Sequence, residues 1–364
     1  MPPAQPLSTP ERILIIRPSA LGDVCRSVPM LVTLRAAYPD ARIDWLVQNS
    51  FADAVANHPM LSAVVKFPRS SLRFGKLLTS AGRSALSNLS RDLRGGGGGQ
   101  TSKPYDLVID AQGLGRSGLL MWWTGAARRV GDANARELSW LGANRRHKID
   151  PSRHTVDRML DLLEREGLTP VHDMRLYPSN TDRVSIDPML RGTKYMVVAP
   201  TSRWEGKRWP GPRFAEVTSR VLDEGLADYA VIVASGTERA QCRELLALQK
   251  TQPRIIDQIG RTTVGELMAL IEQSSLVLAN DSAALHIGVG FDRPIVGLFG
   301  PTRTDLVGPY RRERDVIQAA KPRPGQGNLH KDTAAGRRMM EAIDVGTVFR
   351  ACAERLGSAS APSA

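Results

Sequence analysis

The chain has 364 residues, a formal net charge of +12 and a sequence pI near 10.0, so it is long enough for two hydrophobic cores and suits anionic partners. Its most apolar run, Gly118 to Ala127, is too short to span a bilayer, and the N-terminus lacks the pattern of a signal peptide. Three cysteines far apart in the chain indicate a reducing compartment. We therefore expect a cytoplasmic protein.

Short apolar segments alternate with helical patterns along the first half of the chain. Strands are predicted at RILIIRP (12–18), RIDWLVQ (42–48) and YDLVIDAQ (105–112). The five consecutive glycines Gly95 to Gly99 predict a flexible loop before the third of these strands. A helix then ends at Gly167, and the polar segment after it predicts a domain boundary near residue 185.

The second half of the chain repeats the alternation of strands and helices. Its predicted strands are KYMVVAP (194–200), YAVIVASG (229–236), SSLVLAND (274–281) and RPIVGLFG (293–300). Strands that alternate with helices form parallel sheets, so two such series predict two doubly wound α/β domains. A last helix is predicted at about 345–356, followed by a tail whose composition favours disorder.

Asp23 follows the first predicted strand, at the point where a helix begins. A carboxylate there caps the helix by accepting a hydrogen bond from a free backbone N–H. The same position lies outside the carboxyl end of a strand, where α/β proteins bind ligands. The local sequence leaves both interpretations open.

The segment Gly113 to Gly118 has the spacing G-x-G-x-x-G after a predicted strand. This spacing occurs in dinucleotide-binding turns. The motif is in a later βα unit, however, and no clear acidic strand end follows at the expected distance. A chance or structural match is therefore the favoured interpretation.

The second half contains the stronger signal for a ligand site. Asp281 and Ser282 end a predicted strand, Ala283 begins a helix and His286 lies in its first turn. The free N–H groups of a helix N-terminus bind anions, and small residues let a phosphate approach the backbone. This combination predicts a nucleotide diphosphate site.

Two further turns supply polar groups for the same ligand. Hydroxyls and cations suited to diphosphate oxygens follow the strand at 194–200, and a carboxylate suited to ribose hydroxyls follows the strand at 229–236. Glu238 is also placed to act simply as a helix N-terminal acid. The groups in these two turns are Thr201, Ser202, Arg203, Lys207, Arg208 and Glu238.

Several of these stretches together resemble glycosyltransferase family 9, the bacterial heptosyltransferases of lipopolysaccharide core assembly. The similar stretches begin with SALGDVCRSVPML (19–31) and end with NDSAALHIGVGFDRPIVGLFGPT (280–302). Between them, YDLVIDAQGLGRSGLL (105–120), ARELSWLGANRRHKI (135–149) and PTSRWEGKRWP (200–210) look most like the heptosyltransferase I branch. The resemblance runs from about Arg12 to Leu356 and gives the 113–118 glycines no dinucleotide role.

The resemblance implies a GT-B fold, in which two Rossmann-like doubly wound domains face each other across a cleft. Residues 1–185 would bind the acceptor and residues 186–340 the nucleotide sugar. Residues 341–364 would form a helix that crosses back to the first domain, followed by the disordered tail.

The implied activity is an inverting, metal-independent transfer of heptose from ADP-heptose to a Kdo-lipid, with no cofactor. Asp23 would be the general base, and partial burial is expected to raise its pKa toward working pH. We expect a monomer that contacts the inner face of the cell membrane peripherally and binds no nucleic acid. The expected acceptor-binding residues are Arg69, Arg73, Lys76 and Arg136. The expected donor-binding residues are Thr201, Ser202, Arg203, Lys207, Glu238, Asp281, Ser282, Ala283 and His286.

Three other functions remain open from the sequence. The first is a family 9 transferase with a different sugar donor or acceptor. The second is an NAD-dependent oxidoreductase, which would depend on the 113–118 glycines. The third is a nucleic-acid binder, which would depend on charge alone and lacks the aromatic-rich basic patches that single-strand binding favours.

Overall fold

The protein divides into two compact units, Met1–Tyr177 and Pro178–Ala364, in this computed structural model. The structure describes residues 9–72, 76, 79–96, 103–322 and 333–358. Arg73, Gly97 to Gly99 and the tail from residue 359 lie outside the described residues. Within the described ranges, no helix combines the length and the apolar character that crossing a membrane requires.

The described part of the first unit contains a six-stranded parallel sheet with the order β3-β2-β1-β4-β5-β6. This is the doubly wound order in which the chain winds outward in both directions from β1. Every residue of β1 is buried, as expected for a central parallel strand that helices cover on both faces. The strands are β1 (Arg12–Ile16), β2 (Arg42–Gln48), β3 (Ala63–Phe67), β4 (Leu107–Asp110), β5 (Arg128–Asp132) and β6 (Arg145–His147).

The helices of the first unit include one that ends in the polyglycine segment. A π-helical turn, Asp92–Gly96, continues that helix through the first two glycines of the run. Two 3-10 helices, Asn49–Phe51 and Ser139–Gly142, complete the described helical segments. The α-helices are α1 (Leu21–Arg26), α2 (Val28–Ala37), α3 (Asp53–Ala56), α4 (Ser80–Arg91), α5 (Gly115–Trp123) and α6 (Thr155–Glu164).

The second unit repeats the topology of the first. Its described six-stranded parallel sheet has the order β12-β11-β10-β7-β8-β9, in which β7 and β10 hold the places that β1 and β4 hold in the first sheet. The strands are β7 (Tyr195–Ala199), β8 (Tyr229–Ile232), β9 (Ile255–Asp257), β10 (Leu276–Asn280), β11 (Ile295–Leu298) and β12 (Val316–Ile317).

The segment predicted as a polar linker forms α7 and belongs to the second unit. Arg183 of α7 makes two hydrogen bonds, of 2.7 and 2.8 Å, to the carboxylate of Glu272 on α10. This packing places the division at Tyr177, whereas the sequence places it near residue 185. The helices are α7 (Asn180–Val184), α8 (Gly211–Asp223), α9 (Arg243–Leu248), α10 (Val264–Gln273), α11 (Ala283–Gly290), α12 (Thr304–Val307), α13 (Thr333–Glu341) and α14 (Val345–Ser358), with 3-10 turns Pro188–Leu190, Glu205–Lys207, Gly236–Cys242 and Glu313–Asp315.

The C-terminal helix α14 packs within the second unit. Val348, Phe349, Cys352 and Leu356 are buried in the same apolar cluster as residues of α8 and of the second sheet. The resemblance assigns this helix a crossing back to the first domain. In the structure its apolar face is buried against the second unit, with which it is grouped.

Glycines hold α5 against the 3-10 helix Ser139–Gly142. A Cβ atom on Gly118 would overlap the carbonyl oxygen of Ser139, and a Cβ atom on Gly142 would overlap the carbonyl oxygen of Gly118. The two backbones therefore touch directly. The last glycine of the 113–118 motif serves packing between two segments of the first unit.

Replacing Gly118 with alanine is expected to lower the free energy of unfolding by about 1–3 kcal/mol, the usual cost of overpacking. Gly357, in the last turn of α14, is the matched control because a Cβ there meets no atom within 4 Å. Gly357→Ala should leave stability unchanged or raise it slightly. Urea unfolding followed by circular dichroism measures both, and equal effects would contradict the packing role of Gly118.

Candidate functional site

The two sheets share a feature that positions their polar side chains. In each, the strand order reverses beside the first strand of the unit, between β1 and β4 and between β7 and β10. Ligands of open α/β sheets bind outside the carboxyl ends of the strands at such switch points. Asp23 follows β1, and the turns that carry Lys207 and Asp281 follow β7 and β10. The fold therefore gives each unit one candidate site.

Asp23 lies in the first turn of α1 and is held by three groups. Its carboxylate accepts a hydrogen bond from the backbone N–H of Ala20 at 3.3 Å, lies 3.3 Å from the guanidinium of Arg17 and forms an ion pair with Arg26. The contact with Ala20 shows that Asp23 does cap its helix. Its side chain is nevertheless 29% exposed, so a substrate can reach the carboxylate.

The electrostatic environment of Asp23 is opposite to the one predicted from the sequence. Burial favours the neutral acid, but the charges of Arg17 and Arg26 outweigh it, and the hydrogen bonds from Arg26 and Ala20 add to their effect. The pKa of Asp23 therefore lies well below its usual range. The prediction of a raised pKa is wrong because it considered burial alone and left out the two arginines that converge on this carboxylate, one of them three residues further along the same helix. Asp23 is ionised at any physiological pH.

Asp110 ends β4 beside this turn and was not among the predicted site residues. Its buried carboxylate accepts hydrogen bonds from the backbone N–H groups of Gln112 and Gly113 and from the hydroxyls of Ser117 and Ser139. Burial raises its pKa despite these four bonds. Asp110 thus orders the turn after β4 and the segment that packs against α5. Its place at the end of a predicted strand was the available signal.

The N-terminus of α5 is closed to a dinucleotide in this structure. The backbone N–H of Gly115, which would face a pyrophosphate in a dinucleotide-binding turn, donates to the carboxylate of Glu137 at 3.1 Å. A Cβ atom on Gly115 would also lie only 2.8 Å from the carbonyl oxygen of Glu137. The 113–118 glycines thus permit close packing, in agreement with the structural interpretation of the motif.

In the second unit, Ser282 is the N-cap residue of α11 and Ala283 is the first residue of that helix. The hydroxyl of Ser282 is buried and has no hydrogen-bond partner among the described residues. Ser282 and the N–H groups at the start of α11 lie together, as the anion site predicted from the sequence requires, and anion binding there stays a prediction. His286 is buried in the first turn of the helix.

Asp281 holds Lys207 beside this helix N-terminus. The Lys207 ammonium donates to the Asp281 carboxylate at 2.7 Å, and the hydroxyl of Thr302 donates to the same oxygen at 2.7 Å. Burial opposes ionisation of Asp281, but Lys207, with smaller contributions from Thr302 and His286, lowers its pKa. A lysine has three donors, so this pair leaves others available to an anion. Asp281 therefore positions the cation, and Thr302 is a residue that the sequence analysis missed.

The loop after β7 is held by a side chain of the neighbouring strand β10 and by one of the 3-10 helix Gly236–Cys242. Asn280, at the end of β10, accepts from the backbone N–H of Trp209 at 3.0 Å and donates to the carbonyl of Pro200 at 2.6 Å. The backbone N–H of Ser202 donates to Gln241 at 3.3 Å. Asn280 is completely buried and bridges both ends of the loop, which makes it a second positioning residue that the predictions omitted.

The remaining predicted donor residues have different environments. Glu238 accepts from the hydroxyl and backbone N–H of Ser235, the arrangement of a helix cap, and also from the hydroxyl of Thr201 at 3.3 Å. The helix-cap interpretation of Glu238 is thus confirmed, and its expected contact with ribose hydroxyls stays a prediction. Arg203 is exposed, with its guanidinium 5.5 Å from the centre of the Trp204 ring.

The predicted acceptor-binding residues Arg69, Lys76 and Arg136 are exposed on the first unit. Arg69 lines an open groove of about 890 Å³ together with Arg116 and mostly apolar side chains, among them Phe67 and Leu119. An apolar groove with cations in its lining is suited to an anionic amphiphile.

Two doubly wound α/β units are the architecture of GT-B glycosyltransferases, and comparison with known proteins puts the chain in this class. Lipopolysaccharide heptosyltransferase 1 of Escherichia coli strain K12 is 27% identical over 326 residues, which cover 88% of this chain and 96% of that protein. The protein of the same name from Pseudomonas aeruginosa is 26% identical over 311 residues, covering 83% and 82% of the two chains.

Solved structures show the same fold. The E. coli heptosyltransferase determined with ADP superposes with a TM-score of 0.74 at 20% identity, covering 94% of this chain and 99% of that one. A family 9 glycosyltransferase from Veillonella parvula gives a TM-score of 0.73 at 21% identity, covering 96% and 98%. The model of glycosyltransferase family 9 (heptosyltransferase) matches residues 100–335. The chain belongs to this family.

Proposed function

We propose that this chain transfers heptose from ADP-heptose to a Kdo-lipid of the lipopolysaccharide inner core, with inversion at the anomeric carbon. Membership of the heptosyltransferase family supports the reaction class. The observation that carries the proposal is the pair of switch-point sites, an ionised carboxylate in the first unit and an anion site in the second. An activity assay with ADP-heptose tests it, with GDP- and UDP-sugars as the alternative donors.

The donor diphosphate is assigned to the second unit. Lys207, the free N–H groups at the start of α11 and the Ser282 hydroxyl supply charge and donors to its oxygens. As the bond between the anomeric carbon and the diphosphate oxygen breaks, the leaving ADP gains negative charge, which these groups stabilise. Because cationic and amide groups perform this task, the proposed transfer needs no metal ion.

The acceptor is assigned to the first unit, with Asp23 as the general base. The acceptor hydroxyl attacks the anomeric carbon from the face opposite the diphosphate, and its proton passes to the Asp23 carboxylate. Inversion follows from this single displacement. The lowered pKa keeps Asp23 in the ionised form that accepts a proton.

The exposed cations of the first unit support an anionic acceptor. Arg69, Lys76 and Arg136 suit a Kdo carboxylate or a lipid phosphate, and Arg73 is proposed with them from the sequence. The proposed enzyme is a cytoplasmic monomer, peripheral at the inner face of the cell membrane. If the sugar donor differs, the same assay detects transfer from the alternative nucleotide sugar. If the acceptor differs, it detects transfer to the alternative acceptor.

Lys207→Ala is expected to weaken ADP binding by about 1.5–3 kcal/mol, the value of a direct hydrogen bond to a charged group. The variant also leaves the Asp281 carboxylate without its cation beside the diphosphate. Isothermal titration with ADP measures the change. Lys250→Ala removes an equal charge from an exposed position of the second unit and should have no effect. Equal affinities of the Lys207 variant and this control would exclude Lys207 from the donor site.

Asp23→Asn is expected to lower turnover about 10²–10⁴-fold, the usual contribution of a positioned base. Asparagine keeps the size of the side chain and its capping oxygen, so ADP affinity should be nearly unchanged, while the melting temperature should fall because the buried Arg17 and Arg26 lose their anionic partner. Asp40→Asn, at an exposed position of the same unit, is the control. Turnover close to that of the control would make Asp23 a helix cap only.

Arg26→Gln is expected to raise the pKa of Asp23, because it removes one of the two cations that lower it. The base then protonates at a higher pH, so the acid limb of kcat/KM should move upward relative to the unmodified enzyme. Arg158→Gln, which breaks an ion pair with Asp132 elsewhere in the unit, should leave the profile unchanged. Superimposable profiles for all three proteins would disprove the electrostatic role of Arg26.

A further inference from the structure

The first unit exposes four large apolar side chains on two segments that touch. Leu119 and Trp122 on α5 are 60% and 61% exposed, and Leu138 and Leu141 at the following 3-10 helix are 61% and 56% exposed. We call these four residues the apolar ridge. The direct backbone contact between Gly118 and Gly142 brings the two segments together, so the four side chains lie on neighbouring parts of one surface.

The backbone at the ridge is held in an unfavourable conformation. Leu138 has a φ of 58° and follows Glu137 at 53°, so two consecutive non-glycine residues lie in the left-handed region. Leu138 is bulky and apolar, yet its side chain is exposed in this conformation and does not pack in the core. Such local strain is typical of positions kept for function.

Cations accompany the ridge along the same segments. Arg116 precedes Leu119 by one turn of α5 and lies 5.9 Å from the centre of the Phe67 ring, and Arg136 is exposed just before Leu138. Arg146 is exposed 4.9 Å above the ring of Trp140, the neighbour of Leu141. The nearby carboxylate of Glu137 is engaged by the Gly115 amide. The surface thus combines apolar side chains with arginines.

We infer that the apolar ridge docks on the surface of a bilayer that contains anionic lipids. Tryptophan and leucine side chains partition into the interface, while nearby arginines bind anionic headgroups and strengthen the attraction to the membrane. A second copy of this chain fits the surface less well. A two-fold interface pairs a patch with itself, so it would bring the arginines of both copies together.

The apolar ridge is the surface through which the proposed enzyme would contact the membrane. This inference rests on the proposed function in one respect, namely that the acceptor is a membrane lipid. The groove lined by Arg69 and Phe67 shares Leu119 with the ridge. Docking through the ridge would therefore bring the groove to the surface where such an acceptor resides.

Vesicle flotation of the full chain tests the docking. The double variant Trp122→Ser, Leu141→Ser removes ridge side chains that line neither proposed substrate site. The control, Val184→Ser with Met189→Ser, removes side chains of similar exposure, 69% and 55%, from the second unit. The vesicles are phosphatidylethanolamine with phosphatidylglycerol, and phosphatidylcholine alone. All proteins should have the same melting temperature.

The unmodified chain and the control should float with the anionic vesicles, and the ridge variant should bind them at least tenfold more weakly, as expected from the loss of two large apolar groups. Binding to phosphatidylcholine should be weaker for every protein. Equal flotation of the ridge variant and the control overturns the inference. So does a ridge-dependent dimer, detected by sedimentation, that forms without vesicle binding.

Transfer assays separate this inference from the proposed function. With a Kdo acceptor whose acyl chains have been removed, the ridge variant should keep the unmodified turnover, whereas with the acceptor embedded in vesicles its rate should fall about tenfold. If the unmodified chain transfers heptose to neither acceptor, the proposed function fails, and flotation still decides whether the ridge docks. An equal loss with both acceptors contradicts docking.

Discussion

Both candidate sites depend on one constraint, the parallel winding of each sheet outward from a central strand. In such a sheet, every strand ends at the same edge, and the turns after the two strands at the reversal open next to each other. The turn after β1 therefore carries Asp23 near the end of β4, and the turn after β7 carries Lys207 to Asp281 after β10. The contacts between these distant parts of the sequence follow from strand order.

Asp23 and Asp281 show that the neighbouring residues determine the role of an aspartate side chain. Asp281 lies 2.7 Å from both the Lys207 ammonium and the Thr302 hydroxyl, and its task is to hold the cation. Asp23 also has cationic neighbours but keeps an exposed face, so it remains ionised and accessible. The low pKa makes it a weaker base than a raised pKa would, and it guarantees the proton-accepting form. We propose that catalysis depends on this permanently ionised state of the Asp23 carboxylate.

The glycines at 113–118 illustrate why a spacing motif needs its structural context. The spacing matches a dinucleotide-binding turn, but Glu137 caps the helix N-terminus where a pyrophosphate would bind, and Gly118 admits the backbone of Gly142. The same close approach holds the exposed leucines and tryptophan of the apolar ridge together. The glycines of the motif therefore serve packing in the first unit.

The sequence by itself determined the two doubly wound α/β units, most central strands, and the polar turns at Asp23, Lys207 and Asp281. These features are local, because short stretches of sequence contain the periodicity of strands and helices and the residues that form turns. Only the tertiary structure decided that Arg17 and Arg26 lower the pKa of Asp23 and that Asn280 ties together the loop after β7. The tertiary structure also revealed five strands that the sequence analysis did not predict, and it showed that α14 packs within the second unit. These strands are β3, β5, β6, β9 and β12. Such features depend on which side chains meet in the fold, many of them distant in the sequence, and on how deeply they are buried, and a local pattern of residue types reports neither.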